Sequence, residues 1–87
     1  MEPWIVYMVR CSDGTLYTGI TKNLEQRVAK HNDGTGAKYT RSRLPVELVW
    51  HEVAMAESDA RKREAEIKKW KRNDKFAFLK KPSDAKG

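Results

Sequence analysis

The chain has 87 residues, of which 39% are hydrophobic and 34% charged, with a formal net charge of +6 and one cysteine, Cys11. A chain of this length forms one domain with a modest core, and a lone cysteine excludes an internal disulfide. No apolar run approaches the ~20 residues that cross a bilayer, and no basic stretch followed by an apolar segment opens the chain, so we expect a cytoplasmic protein outside the membrane.

Two short runs near the N-terminus predict a β-hairpin. Residues Trp4 to Val9 and Leu16 to Ile20 are rich in the β-branched and aromatic side chains that favour strands. The connection Ser12-Asp13-Gly14 fits a three-residue loop that ends on a glycine in the left-handed conformation.

A helix and a basic loop follow the hairpin. Asn23 is placed to cap a helix that runs to about Asn32, with Gln26 three positions later as in a capping box. The segment Ala37 to Pro45 carries basic residues around Tyr39 and is predicted to be a loop.

The second half of the chain predicts a third strand and two more helices. Residues Val46 to Val53 alternate as a strand, with Val46, Leu48, Trp50 and then Glu52 on one side. A long helix is expected from about Ser58 to Arg72, and a last one, capped by Asn73 or Asp74, to Lys81. Residues 82–87 should fray, so the domain spans 1–81. The predicted class is α+β with the order ββαβαα.

Three polar residues lie on predicted apolar helix faces. Arg27 and His31, four positions apart, share the apolar stripe of the first helix, and Glu64 lies on the core side of the long helix with Ala60 and Ile67. The structural interpretation is a hydrogen-bonded histidine, a snorkelling arginine and a carboxylate paired with Arg61, Arg63 or Lys68. The functional one is phosphate chemistry, with a guanidinium for oxyanions, an imidazole for protons and a carboxylate for a divalent cation.

The positive charge is concentrated near the C-terminus. Between residues 61 and 81, ten lysines and arginines face three acidic residues, a local +7, whereas the rest of the chain sums to −1. Such a face is typical of a nucleic-acid binder, although a solvated helix surface or an anionic membrane contact has the same composition. The residues we expect to contact nucleic acid are Lys38, Tyr39, Arg41, Lys68, Lys69, Lys71 and Arg72.

Five positions in order resemble a known family. They are Tyr7 in Ile5-Val6-Tyr7, Tyr17 in Tyr17-Thr18-Gly19, Arg27 and His31 in the first helix, and Glu64 in Arg63-Glu64-Ala65-Glu66. This set resembles the GIY-YIG nuclease superfamily, above all its small single-domain, UPF0213-like bacterial members, which resemble the nuclease part of Slx-type endonucleases. The first triplet has Ile5 in place of its glycine and the second has Thr18 at its centre, and both departures spare the tyrosines.

The resemblance implies a three-stranded antiparallel sheet flanked by helices and a single-metal DNA endonuclease. Glu64 would be the sole carboxylate on Mg²⁺ or Mn²⁺, and Arg27 would neutralise charge on the phosphate. Tyr7, Tyr17 or His31 would take the proton from water. Because a free tyrosine titrates near ~10, a tyrosine base needs positive charge beside it.

The expected substrate is DNA, chosen by its structure rather than by its sequence, because the chain holds no separate recognition domain. Branched, nicked and single-stranded DNA and RNA all stay open as substrates. The alternatives are a non-catalytic basic module that binds nucleic acid on the same fold and a protein-interaction domain whose basic helix docks on an acidic partner.

One geometric prediction tests the site directly. A three-residue loop at residues 12–14 sets Val9 opposite Tyr17 and Tyr7 opposite Gly19, which brings both tyrosines to one face of the sheet. A two-residue loop would separate them. Gly19 should leave open space opposite Tyr7 in which a ring and a phosphate could approach the backbone. The five family positions should converge on one concave basic surface.

Overall fold

The fold is a three-stranded antiparallel sheet between helices, seen in a computed structural model that describes residues 3–80. The elements are β1 (Trp4–Arg10), β2 (Leu16–Thr21), α1 (Leu24–Asn32), α2 (Lys38–Arg41), β3 (Glu47–Ala54), α3 (Glu57–Lys68) and α4 (Arg72–Lys80). The predicted α+β class and element order are confirmed. The expected helix end at Lys81 and the fraying tail lie outside the described residues.

The hairpin forms with the predicted register. The Cys11 N–H donates to the Thr15 carbonyl at 2.8 Å across the loop, and Gly14 takes a φ of +85° that favours glycine. Asp13 accepts hydrogen bonds from the Thr15 backbone and hydroxyl, which stiffens the turn. Tyr7 therefore pairs with Gly19 and Val9 with Tyr17, as predicted.

The strand order is β2-β1-β3, so β1 is central and β2 lies at an edge. On one face, Val6 and Met8 of β1 pack with Ala60 and Ile67 of α3. On the other face, Tyr7 and Val9 form a second buried cluster, against which α1 packs through Leu24 and Val28. Helices α1 and α3 thus cover opposite faces of the sheet. No helix in residues 3–80 is long and apolar enough to cross a membrane.

A bulge in β3 overturns the predicted face assignment of this strand. Met8 pairs with Trp50 and Val9 with Leu48, so Val49 is an extra residue without a partner in β1. The alternation reverses at that point. Trp50 packs with the α3 cluster and Val46 with the Tyr7 cluster, so they do not share a side.

Three other predicted boundaries differ from the structure. The segment expected to be a basic loop contains the helical turn α2, in which Thr40 is buried.

The long helix ends at Lys68, not at Arg72. The chain tightens there into three-residue turns, in which the Lys69 N–H donates to the Glu66 carbonyl and the Trp70 N–H to the Ile67 carbonyl. Asn73 and Asp74 lie in the first turn of α4, which begins at Arg72, so neither is its cap.

The predicted cap of α1 is confirmed. The Asn23 side chain accepts a hydrogen bond from the Gln26 N–H at 3.0 Å.

The sheet–α3 core predicts the cost of removing one buried side chain. Ile67 is fully buried, so Ile67→Ala should lower the free energy of unfolding in urea by about 2–5 kcal/mol through lost burial and a residual cavity. Met55, 83% exposed, is the matched control, and Met55→Ala should change it by less than about 0.5 kcal/mol. Equal effects of the two substitutions would contradict this core assignment.

Candidate nuclease site

The centre of the site is a buried hydrogen bond between β1 and α1. The Tyr7 hydroxyl lies 2.8 Å from His31 Nε2, and both side chains are fully buried. Arg27, one turn before His31 on α1, donates from Nε to the Tyr7 oxygen at 3.3 Å. The helical spacing of Arg27 and His31 therefore brings both groups to one tyrosine oxygen.

Thr40 in α2 fixes the other side of the His31 ring. Its Oγ1 lies 2.8 Å from His31 Nδ1 and donates its hydrogen to the Ala37 carbonyl at 3.0 Å. With its hydrogen used in this way, Thr40 accepts from Nδ1–H, which leaves Nε2 to accept from the Tyr7 hydroxyl. The Ala37 N–H approaches Nδ1 at 3.5 Å, which is too long to outweigh that bond.

Two glycines allow this packing. A methyl group at Gly19 would lie 2.6 Å from the Tyr7 hydroxyl oxygen, and one at Gly36 would lie 2.7 Å from His31 Nδ1. The Tyr7 ring therefore approaches the backbone at Gly19 as predicted, and the ring itself fills the space that we also expected to admit a phosphate. Gly19 serves the close approach of that ring to β2.

Tyr17 extends the cluster toward the surface. Its ring centroid lies 6.5 Å from that of Tyr7 and 5.3 Å from that of His31, so the two tyrosines share a face as predicted. Tyr17 is partly exposed, in contrast to Tyr7 and His31. Tyr39 stacks on Tyr17 at 6.0 Å with an interplanar angle of 23°, and the Arg43 guanidinium lies 4.1 Å from the Tyr39 ring centroid.

Glu64 reaches the same edge from the opposite face of the sheet. Its carboxylate pairs with Lys68 Nζ at 3.1 Å, and that nitrogen lies 5.7 Å from the centroid of the Tyr17 ring. The Glu64 side chain is 20% exposed. The sequence left Arg61, Arg63 and Lys68 open as ion-pair partners of Glu64. The structure shows the ion pair with Lys68.

The remaining predicted nucleic-acid contacts divide into two groups. Lys68, Arg72 and Tyr39 line concave surface beside Tyr17. Lys38, Arg41, Lys69 and Lys71 are exposed side chains on α2 and around the junction between α3 and α4. Sequence reasoning missed Thr40, because nothing in its neighbourhood marks one threonine of a basic segment as buried.

Burial and charge set the protonation states at the centre. Burial raises the pKa of the Tyr7 hydroxyl above its ordinary value, opposed by Arg27 and supported by Tyr17 and Glu64. Burial, and then the charge of Arg27, lowers the pKa of His31. The hydrogen bond to Tyr7, with a smaller contribution from Tyr17, raises the pKa of Arg27. At neutral pH the site holds a neutral tyrosine, a neutral histidine and a charged arginine.

Comparisons with known proteins identify the family of this chain. The model of the GIY-YIG catalytic domain matches residues 3–77. A UPF0213 protein of Staphylococcus epidermidis is 51% identical over 79 residues, which cover 91% of this chain and 96% of the relative, and one of Staphylococcus aureus is 51% identical over 80 residues, 92% and 98% of the two chains.

Two solution NMR structures are similar as well. The UPF0213 protein of Bacillus halodurans is 37% identical with a TM-score of 0.57, over 93% of this chain and 88% of that one. A protein of E. faecalis is 40% identical with a TM-score of 0.62, over 92% and 85% of the two chains. The chain belongs to the GIY-YIG family, a family of nucleases.

The lowered pKa of His31 predicts acid destabilisation. An unfolded histidine gains a proton near pH ~6.5, whereas folded His31 stays neutral to lower pH. The contribution of neutral His31 to the free energy of unfolding is complete above pH ~6.5. It is lost as the pH falls, by at most about 1.4 kcal/mol per pH unit. Urea unfolding between pH 7.5 and 5.5 should show this loss in the wild type and in His51→Gln, an exposed control, but not in His31→Gln. The same loss in His31→Gln would contradict the assignment.

Proposed function

We propose that this protein is a metal-dependent endonuclease that hydrolyses phosphodiester bonds in DNA and is directed by DNA structure rather than by base sequence. One observation carries the proposal. Arg27, Tyr17 and the Lys68–Glu64 pair meet at the β2 edge, although they come from elements on both faces of the sheet.

Arg27 is suited to hold the phosphate that is attacked. Its Nε is fixed by the Tyr7 oxygen, and the guanidinium carries further N–H groups that match phosphate oxygens. Its raised pKa keeps it charged throughout the working range. A fixed positive charge of this kind stabilises the negative charge that develops on the phosphate as water attacks.

Glu64 suits a single Mg²⁺ or Mn²⁺ ion. Among residues 3–80 no group of three or more histidine, cysteine or acidic side chains could enclose a metal, so a fully protein-ligated site is not available there. Mg²⁺ commonly binds one carboxylate and takes its other ligands from water and substrate phosphate, and the partly exposed Glu64 fits that mode. Lys68, half exposed, would swing away from the carboxylate. The bound ion would supply positive charge beside the phosphate.

Tyr17 is our candidate for the general base. Of the three candidates, Tyr7 and His31 are fully buried, whereas Tyr17 reaches the surface beside Arg27 and Lys68. These cations would stabilise the phenolate form of Tyr17, which would accept a proton from the attacking water and become the neutral phenol. The water oxygen then bonds to phosphorus, the bond to the leaving oxygen breaks, and solvent protonates the leaving group. The buried Tyr7–His31 pair positions Arg27.

A structure-directed activity follows from the kind of contacts available. The cationic side chains around the site suit the phosphate backbone, which is the same for every base sequence. The competing function is a non-catalytic nucleic-acid-binding module. It is favoured by the Lys68–Glu64 ion pair, which leaves the carboxylate satisfied without a metal.

Glu64→Ala separates these two functions. If Glu64 holds the metal, this variant should lose cleavage of supercoiled plasmid and branched DNA in Mg²⁺ or Mn²⁺ but bind DNA as tightly as the wild type or more so, because a negative charge is gone. The control is Glu66→Ala, which removes an exposed carboxylate of the same helix that pairs with Arg63 and should cleave normally. Equal cleavage by the two variants, or wild-type cleavage in EDTA, would refute the metal role. Binding without cleavage by the wild type would identify the non-catalytic module.

The assignment of the base predicts different effects for the two tyrosines. Tyr17→Phe should lower kcat by ~10² or more, since general base catalysis contributes about that much, with little change in stability. Tyr7→Phe should instead lower the free energy of unfolding by about 1–3 kcal/mol, because buried His31 Nε2 loses its donor. Single-turnover cleavage and urea unfolding measure the two quantities. A folded, inactive Tyr7→Phe together with an active Tyr17→Phe would reassign the base to Tyr7.

A further inference from the structure

A groove runs along the β2 edge next to the candidate active site. It consists of two adjoining cavities, of about 270 and 180 Å³, that share Leu16, Tyr39 and Lys75 in their walls. The larger cavity also includes Tyr17, Thr18 and Lys68. The groove therefore begins at Tyr17 and continues toward α4.

Three cations line this groove. Lys68 and Lys75 border the larger cavity, and Arg72 borders the smaller one. The nearby acids are already engaged, because Glu64 pairs with Lys68 and Asp13 pairs with Arg43. Within residues 3–80, no carboxylate lies within ion-pair distance of Lys75 or Arg72.

The charged form of Lys75 is destabilised by its surroundings in the groove. It is half-buried, and burial, together with the charge of Lys68, lowers the pKa of its ammonium group. Two ammonium groups that repel each other in a partly desolvated groove are both stabilised when an anion enters between them. A phosphate, with several acceptor oxygens, suits two ammonium groups and a guanidinium together.

Thr18 adds an independent sign of a missing ligand. Thr18 lines the larger cavity, and its hydroxyl oxygen is buried without a hydrogen-bond partner among the described residues. Buried hydroxyls nearly always have a partner. An oxygen-bearing ligand at this wall would provide one.

We propose that this groove is a second phosphate subsite, in which Lys75, with Lys68 and Arg72, holds a backbone phosphate of the nucleic-acid strand adjacent to the phosphate held by Arg27. This inference rests on the proposed function, because it assumes that the strand crosses the β2 edge. The subsite would fix the register of the strand relative to Tyr17 and Glu64. Lys75 is a binding residue and takes no part in proton transfer.

The test compares two lysines of the same helix. Lys75→Gln and Lys80→Gln, at an exposed position near the end of α4, remove the same formal charge. Both are made in the Glu64→Ala background, so that binding of a labelled DNA oligonucleotide duplex is measured without cleavage. Lys75→Gln should weaken binding by about tenfold and reduce the slope of log K against log salt by ~0.9 for the lost phosphate contact. Lys80→Gln should change the slope little.

Three results would overturn the subsite, namely equal slopes for the two variants, a Lys75→Gln slope equal to that of its parent, or no measurable binding by the parent. If Lys75→Gln does not fold, Arg72→Gln in the same background decides, because Arg72 lines the same groove at an exposed position and loss of its charge should reduce the slope in the same way. The subsite and the proposed function fail separately. DNA binding that depends on Lys75 without wild-type cleavage supports the subsite alone, and cleavage with equal slopes supports the nuclease alone.

Discussion

The hydrogen bond between the Tyr7 hydroxyl and His31 Nε2 is the contact on which the rest of the site depends. It joins the central strand to α1 in a region from which water is excluded, so neither group has an alternative partner in solvent. An unpaired polar atom there would cost about 1–3 kcal/mol, which is a large share of the stability of a small domain. The bond therefore fixes the rotation of α1 about its axis and with it the position of Arg27, one turn away.

This bond places demands on chain segments far from it in sequence. The backbone must come close to both rings, which requires residues without a side chain at Gly19 and Gly36. The imidazole must also present the correct nitrogen to Tyr7, which Thr40 ensures by accepting from the other one. The short helical turn α2 is therefore part of the site. Its role is to hold His31 in one tautomer, and through His31 to hold Tyr7 and Arg27.

Sequence patterns predicted those features that depend on local chemistry. The hairpin register followed from Asp13 and Gly14, because turn residues determine loop length and loop length determines pairing. The first helix followed from its cap at Asn23. The bulge at Val49 was not predicted, because the three consecutive apolar residues Leu48 to Trp50 fit either register, and packing against β1 and α3 makes the choice. Thr40 and Lys75 were missed for a related reason. Their significance comes from groups that the fold brings near them, and neither lies in a periodic pattern.

The edge position of β2 explains how a chain of this size assembles a site from both sides of its sheet. Tyr17 belongs to the face covered by α1, whereas Glu64 and Lys68 belong to α3 on the opposite face, and a central strand would keep two such sets apart. At an edge strand, side chains from the two faces can meet around the strand. Lys68 Nζ accordingly lies 5.7 Å from the centroid of the Tyr17 ring. An exposed edge also invites pairing with another chain, and positively charged side chains are one means by which proteins prevent it. The lysines beside β2 therefore serve two needs, because the charges that repel a second copy of this basic chain also attract a phosphate backbone.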